Sequence, residues 1–177
     1  MRVIFLDFDG VINTDKGRDS RISRGLPTRD KYDELFDEEA VENLRMIMEA
    51  VPDAHLVIES TWKTSLGGLP ELREMWKIRE MPGRIYSVTE DAINFPDLLN
   101  LDLSDMDAFA KVAGMGKGYG IKKWIENHYS PGFQYVIIDD VPDFLPEQKS
   151  HLVCPNARVG LTSEDAIRAI EILKAKS

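Results

Sequence analysis

Four short apolar runs punctuate the chain: Val3-Ile4-Phe5-Leu6, Leu56-Val57-Ile58, Tyr135-Val136-Ile137-Ile138 and His151-Leu152-Val153. Each is β-branched or aromatic and none alternates cleanly with polar residues, the pattern of strands buried on both faces of a parallel sheet. Arg84-Ile85-Tyr86-Ser87-Val88 is a fifth, weaker strand. Between the runs the period changes. From Asp37 to Ala50, the residues Ala40, Val41, Leu44, Ile47 and Met48 share one helical face, with acids in the first turn where the helix dipole favours them. Leu69 to Arg79 carries Pro70 in its first turn. Tyr119 to His128 spaces Ile121, Trp124 and Ile125 helically and stops before Pro131-Gly132. Thr162-Ser163-Glu164-Asp165, close to a capping box, opens a last helix through Ile167, Ile170 and Leu173. Alternating strands and helices predict an α/β fold, a doubly wound, Rossmann-like parallel sheet of about five strands with helices on both faces.

A length of 177 residues suits a single domain spanning 1–177. One cysteine, Cys154, excludes an internal disulfide and a Cys-rich zinc site. No apolar stretch approaches the ~20 residues of a membrane span. Asp7 and Asp9 interrupt the only early apolar run, so no signal peptide is read and a cytoplasmic location is the default expectation. The balance of 31 acidic against 22 basic residues gives −9, which argues against nonspecific coating of a nucleic-acid backbone. That charge is unevenly spread. Lys16, Arg18, Arg21, Arg24, Arg29 and Lys31 make a basic segment, whereas Glu90, Asp91, Asp97, Asp102, Asp105 and Asp107 fall in a stretch without Lys or Arg.

Ligands of such a sheet bind beyond the carboxyl ends of the strands. There the chain places Asp7 and Asp9 after the first strand, Ser60 and Thr61 after the second, and Asp139-Asp140 after Tyr135–Ile138. In a turn leaving a strand, alternate carboxylates can face one atom, and Gly10 lets the backbone turn beside them. Their repulsion is relieved by a divalent cation, and oxygen-only ligands favour Mg²⁺. A carboxylate can also attack phosphorus to form an aspartyl phosphate while its neighbour protonates the leaving oxygen and then activates water.

Asp7-Phe8-Asp9-Gly10-Val11 resembles the first motif of the haloacid-dehalogenase (HAD) superfamily of phosphotransferases. Ile58-Glu59-Ser60-Thr61 resembles its second motif, Lys117 its third and Ile137-Ile138-Asp139-Asp140 its fourth, in the superfamily's order. Ser60-Thr61-Trp62-Lys63, Ile121-Lys122-Lys123-Trp124-Ile125 and Val159-Gly160-Leu161-Thr162 further resemble the small HAD domain group associated with polynucleotide-end (RNA) repair. Where that group commonly reads Ser-Ser-Thr-Trp-Arg, this chain has Glu59-Ser60-Thr61-Trp62-Lys63, with an acid beside the phosphate-binding residue and a lysine that lacks the bidentate fork of arginine.

The resemblance implies that Asp7 is nucleophile and Mg²⁺ ligand, and that Asp9 is the general acid/base with its carbonyl on the metal. It implies that Ser60 bonds the transferring phosphoryl, that Lys117 neutralises it, and that Asp140 binds the metal with Asp139 assisting. Thr61 competes with Ser60 for the phosphoryl, and Lys111, Lys122 and Lys123 compete with Lys117. Gly114-x-Gly116-Lys117-Gly118 lacks the following Ser/Thr and the glycine spacing of a Walker loop. His55, His128 and His151 are read as structural or surface residues, and Trp62, Trp76 and Trp124 as core rather than base-stacking platforms, with Trp62 close enough to the site to do both.

Caps over the site select substrates in this superfamily. Residues 14–36 are too short for a cap domain and form only a basic flap; residues 90–113 make an acidic insertion. Arg21 and Arg24, with Arg18 and Arg29, and Thr61 and Lys63 are the candidate substrate contacts; the alternative is that these arginines pair with the acidic arm. The expected activity is Mg²⁺-dependent phosphomonoester hydrolysis, with a nucleic-acid 3′-phosphate end ranked first among phosphorylated substrates. A nucleotidase or small-molecule phosphatase comes next and a phosphoprotein phosphatase third, against a noncatalytic HAD-fold binding module.

Overall fold

The computed structural model describes residues 1–90 and 116–175. Its main sheet is wholly parallel, with five strands in the order β5-β4-β1-β6-β7. These are β1 Arg2–Leu6, β4 Ala54–Ile58, β5 Ile85–Val88, β6 Gln134–Ile138 and β7 Leu152–Val153. The strands are the apolar runs, and the expected α/β architecture holds. The weak Ile85–Val88 run forms one end of this sheet, while His151 belongs to a 3-10 turn, Pro146–His151, that leads into β7.

Alternate residues of each strand go to opposite faces. Ile4, Leu6, Leu56, Ile58, Val136 and Ile138 pack against three helices: α2 (Glu38–Ala50), α4 (Leu69–Ile78) and α6 (Ser163–Lys174). Val3, Phe5, Val57 and Ile137 pack on the other face against Ile121 and Trp124 of α5 (Gly116–His128). Helices therefore cover both faces. The α6 capping box forms as the sequence pattern requires: Thr162 Oγ1 accepts from the Asp165 amide, and Asp165 accepts from the Thr162 amide.

Two elements depart from expectation. The segment read as a bare flap contains α1 (Asp15–Ser23) and a hairpin of β2 (Arg29–Asp30) with β3 (Asp33–Glu34). Among the described residues α5 runs from Gly116, so Lys117 lies within the helix rather than ahead of it. Glycines disfavour a helix, but here they permit close approach. A Cβ at Gly118 would lie 2.7 Å from Gln148 Oε1, and one at Gly120 would lie 2.7 Å from the Glu90 carbonyl. Tertiary packing overrides propensity in this stretch of α5. A short helix, α3 (Trp62–Ser65), follows β4. Most of the acidic insertion, and Lys111, lie outside the described residues; Glu90 is described, and it pairs with Lys123.

Candidate active site

Strand register brings the site together. Leu6 pairs with both Ile58 and Ile138, so Asp7, Glu59 and Asp139 leave β1, β4 and β6 at one level. The ladder continues through them: the Asp7 amide donates to the Ile138 carbonyl at 3.0 Å, the Glu59 amide to Leu6 at 2.9 Å and the Asp139 amide to Val153 at 3.2 Å. By strand alternation Asp7 follows Val3 and Phe5 towards the α5 face, where Lys117 comes from the helix.

Lys117 Nζ bridges Asp7 and Asp139, bonding Asp7 Oδ2 and lying 2.6 Å from Asp139 Oδ2. The remaining carboxylate oxygens are held by the backbone. Asp7 Oδ1 accepts from the Phe8 amide at 2.7 Å, and Asp139 Oδ1 from the Val141 amide at 2.9 Å. Asp7, Asp139 and Asp140 each present a carboxylate oxygen within 4.8 Å of the other two. Burial, then the charge of Asp7, pushes both Asp139 and Asp140 above the ordinary carboxylate range. Burial opposes the Lys117 ammonium, but the fields and hydrogen bonds of Asp7 and Asp139 outweigh it and raise that group.

Three carboxylates against one ammonium leave an excess of negative charge, and the donors are all oxygens, so the set fits a hard divalent cation such as Mg²⁺. The backbone makes room for it. Gly10 sits at φ +74°, and a Cβ there would fall 2.5 Å from Asp140 Cγ and Oδ2. Only glycine lets Asp140 come this close to the first loop.

Asp9 stands apart from that trio and is exposed. The turn from Phe8 to Asn13 closes on the Phe8 carbonyl, which accepts from the amides of Val11, Ile12 and Asn13. This returns Asn13 to Asp9, and Asn13 Nδ2 donates to Asp9 Oδ1 at 2.7 Å. The indole Nε1 of Trp62 donates to both Asp9 oxygens, at 3.1 and 3.2 Å.

An open cleft of about 450 Å³ lies above these groups, and Asp7, Asp9, Thr61, Lys117 and Asp140 all line it. Its outer wall is Asp15 and Arg18 of α1 with Glu34 of the hairpin. Asp139 is buried beneath Lys117. Ser60 is also buried and does not line the cleft, and its hydroxyl has no hydrogen-bond partner among the described residues. Lys63 does not line the cleft; its ammonium lies 3.4 Å from Glu59 and donates to Thr89 Oγ1 at 3.0 Å. Burial drives Glu59 up to about 7, although the charges of Lys63 and Lys117 oppose the shift.

Arg21 and Arg24 both grip Glu38, at 3.1 and 2.8 Å, and line a separate pocket from that of Asp7 and Asp140. Arg18 pairs with Asp15, and Arg29 with Asp33 and Glu34 at 3.4 and 3.3 Å. Asn13, Asp15 and Glu34 carry no motif signal in the sequence. Asn13 could be found only from the turn that Gly10 opens four residues after Asp9. Trp62 reads as core, and it is, yet its one polar atom faces the site.

The family model of the HAD domain in Swiss Army Knife RNA repair proteins matches residues 3–166 of the chain. No curated protein and no solved structure matches the chain. The matched span contains every carboxylate of the site as well as Lys117. No helix among the described residues is long and apolar enough to cross a membrane.

Proposed function

The chain belongs to the family of HAD domains in Swiss Army Knife RNA repair proteins, and on that premise we propose that it is a phosphomonoester hydrolase working through Asp7, with phosphorylated nucleic-acid 3′-ends as substrate. The observation that carries the reading is the convergence of Asp7, Asp139 and Asp140 around Lys117 at the floor of an open cleft.

Asp7, Asp139 and Asp140 would hold Mg²⁺, assisted by the Asp9 carbonyl, and the cation supplies charge neutralisation for the phosphoryl group. The protein's own residues do the rest. An Asp7 carboxylate oxygen attacks phosphorus as the bond to the leaving oxygen breaks, and Asp9 gives its proton to that oxygen. Asp9, now a carboxylate, takes a proton from water as that water attacks the aspartyl phosphate, which returns Asp7 and releases phosphate. Lys117 keeps a positive charge against the equatorial oxygens through both steps. Thr61 opens onto the cleft and is the residue with a phosphoryl oxygen to donate to in this reading, while the Ser60 hydroxyl, buried and without a partner among the described residues, lies off the cleft lining. Arg18 is the wall residue placed to meet the anionic body of the substrate, while Arg21 and Arg24 brace α1 through Glu38.

The test is Mg²⁺-dependent phosphate release from paired oligonucleotides bearing a 3′- or 5′-phosphate, beside a nucleoside monophosphate and an aryl phosphate. Release from the 3′-end alone, lost in Asp7→Asn, is the expected result. Activity confined to the small esters would replace the substrate assignment with a nucleotidase-like one. No release from any of them would leave a phosphoprotein phosphatase or a noncatalytic binding domain as the better account.

A further inference from the structure

We infer that Trp62 is a positioning residue for proton transfer: its indole N–H, together with the Asn13 amide, holds the Asp9 carboxyl in place and takes up the charge that develops there. The inference rests on the reading of Asp9 as general acid/base.

Asp9 lies in the turn just before Gly10 and is exposed, a setting in which an aspartate ordinarily samples several rotamers. Here two donors from different parts of the chain meet it. Asn13 reaches Oδ1 from the same turn, and Trp62 spans both oxygens from the start of α3, 53 residues away in sequence. Indole Nε1–H is a donor only, so it cannot serve any other state of the pair than one in which Asp9 accepts.

The indole itself has little freedom. Trp62 is 7% exposed, and its ring lies 5.7 Å from Phe8 and 5.4 Å from Phe36. The Arg79 guanidinium stands 4.6 Å from the Phe36 ring and 5.7 Å from the Trp62 ring. Arg79 is in turn fixed by Asp30 of the hairpin, at 2.7 and 3.0 Å. A donor held by Phe8, Phe36 and Arg79 is preorganised and costs no reorientation when charge appears on its acceptor.

That charge appears during the reaction. As Asp9 gives its proton to the leaving oxygen it becomes a carboxylate, and both hydrogen bonds strengthen. Trp62 therefore acts most in steps that need a proton from Asp9, and little where the leaving group departs unaided. Hydrogen bonds to charged groups are worth roughly ten- to hundredfold in an equilibrium or rate.

The experiment compares Trp62→Phe with the wild type on two esters: an oligonucleotide 3′-phosphate, whose alkoxide leaving group needs protonation, and 4-nitrophenyl phosphate, whose leaving group does not. The parameter is kcat/KM, which covers steps through leaving-group departure. The expected result is a roughly ten- to hundredfold fall on the oligonucleotide with KM unchanged, and less than about a threefold fall on the aryl ester. In an Asp9→Asn background, Trp62→Phe should add no further loss on the oligonucleotide, as the coupling of a cycle requires.

Equal losses on both esters, or losses that add to those of Asp9→Asn, would make Trp62 merely structural and overturn the inference. Should Phe disturb the packing, Trp62→benzothienylalanine keeps the ring volume and removes only the N–H; full activity on the oligonucleotide in that protein would overturn it as well. If Asp9→Asn itself hydrolyses the oligonucleotide like the wild type, the acid/base reading fails and takes this inference with it. The Asp9→Asn arm thus separates the two failures.

Discussion

Glu59 is the residue whose chemistry the fold treats least kindly. It leaves β4 level with Asp7, is almost wholly buried, and has Lys63 at 3.4 Å as its ion-pair partner. Burial raises it from 4.5 to about 7, so in the folded protein the proton is held more tightly than in the unfolded chain. The folded state then binds the extra proton between about pH 4.5 and 7, and stability must fall as pH rises through that window and level off above it. The difference amounts to on the order of 3 kcal/mol. Glu59→Gln should flatten this slope in urea unfolding at constant EDTA. Part of the slope would persist, because Asp139 and Asp140 are displaced in the same direction. An unchanged profile would mean that Glu59 is ionised throughout. At this scale the sequence was generous: Asp7, Asp9, Lys117 and Asp140 are legible from their place at strand ends or the start of a helix, and all four line the cleft. It was silent on Asn13 and on the donor role of Trp62, because a hydrogen bond made across 53 residues leaves no local spacing to read.

At the scale of elements, the informative case is α1. Its sequence, Asp15–Ser23, has Ile22 as its only large apolar side chain, and that residue is exposed, so no amphipathic face announces the helix. What stabilises it is at its ends and underneath. Thr14 caps it by accepting from the Gly17 amide at 2.9 Å, and the same hydroxyl donates to the buried Asp37 at 2.7 Å. Asp37 is itself the N-cap of α2, so one hydroxyl ties the two helix starts together. Thr14→Ala should cost about 1–2 kcal/mol in thermal or urea unfolding. It should also raise KM without a matching loss of kcat, since α1 carries Asp15 and Arg18 into the cleft wall. A fall in kcat at constant KM would contradict the assignment of α1 to substrate contact. The strands and the longer helices were legible because period and turn residues agree with tertiary packing. The glycine-bearing stretch of α5, Gly116 to Gly120, was not, because glycines point away from a helix and the close approach of Gly118 and Gly120 to Gln148 and Glu90 is a tertiary feature.

The whole molecule combines an acidic chain of net charge −9 with a site that is itself rich in carboxylates. The parallel sheet gathers them by register alone, since β1 lies between β4 and β6 and their ends coincide. Such a cluster is stabilised by whatever neutralises it. At a Mg²⁺ concentration near a hundred times its dissociation constant, the melting temperature should rise by roughly 5–10 °C. Na⁺ at matched ionic strength should not reproduce the rise, and Asp140→Asn should diminish it. Equal shifts with the two ions would mean general screening rather than a site.

The central claim is that Asp7 accepts the phosphoryl group, and it can be tested directly by mixing the protein with a 3′-phosphorylated oligonucleotide and Mg²⁺, quenching in acid within one turnover, and mapping covalent phosphate by peptide mass spectrometry. The expected result is a hydroxylamine-sensitive phosphoryl group on the peptide carrying Asp7, and a loss of turnover on the order of 10⁴-fold in Asp7→Asn. Phosphate release that persists in Asp7→Asn, or a phosphoryl group trapped on another residue, would contradict it.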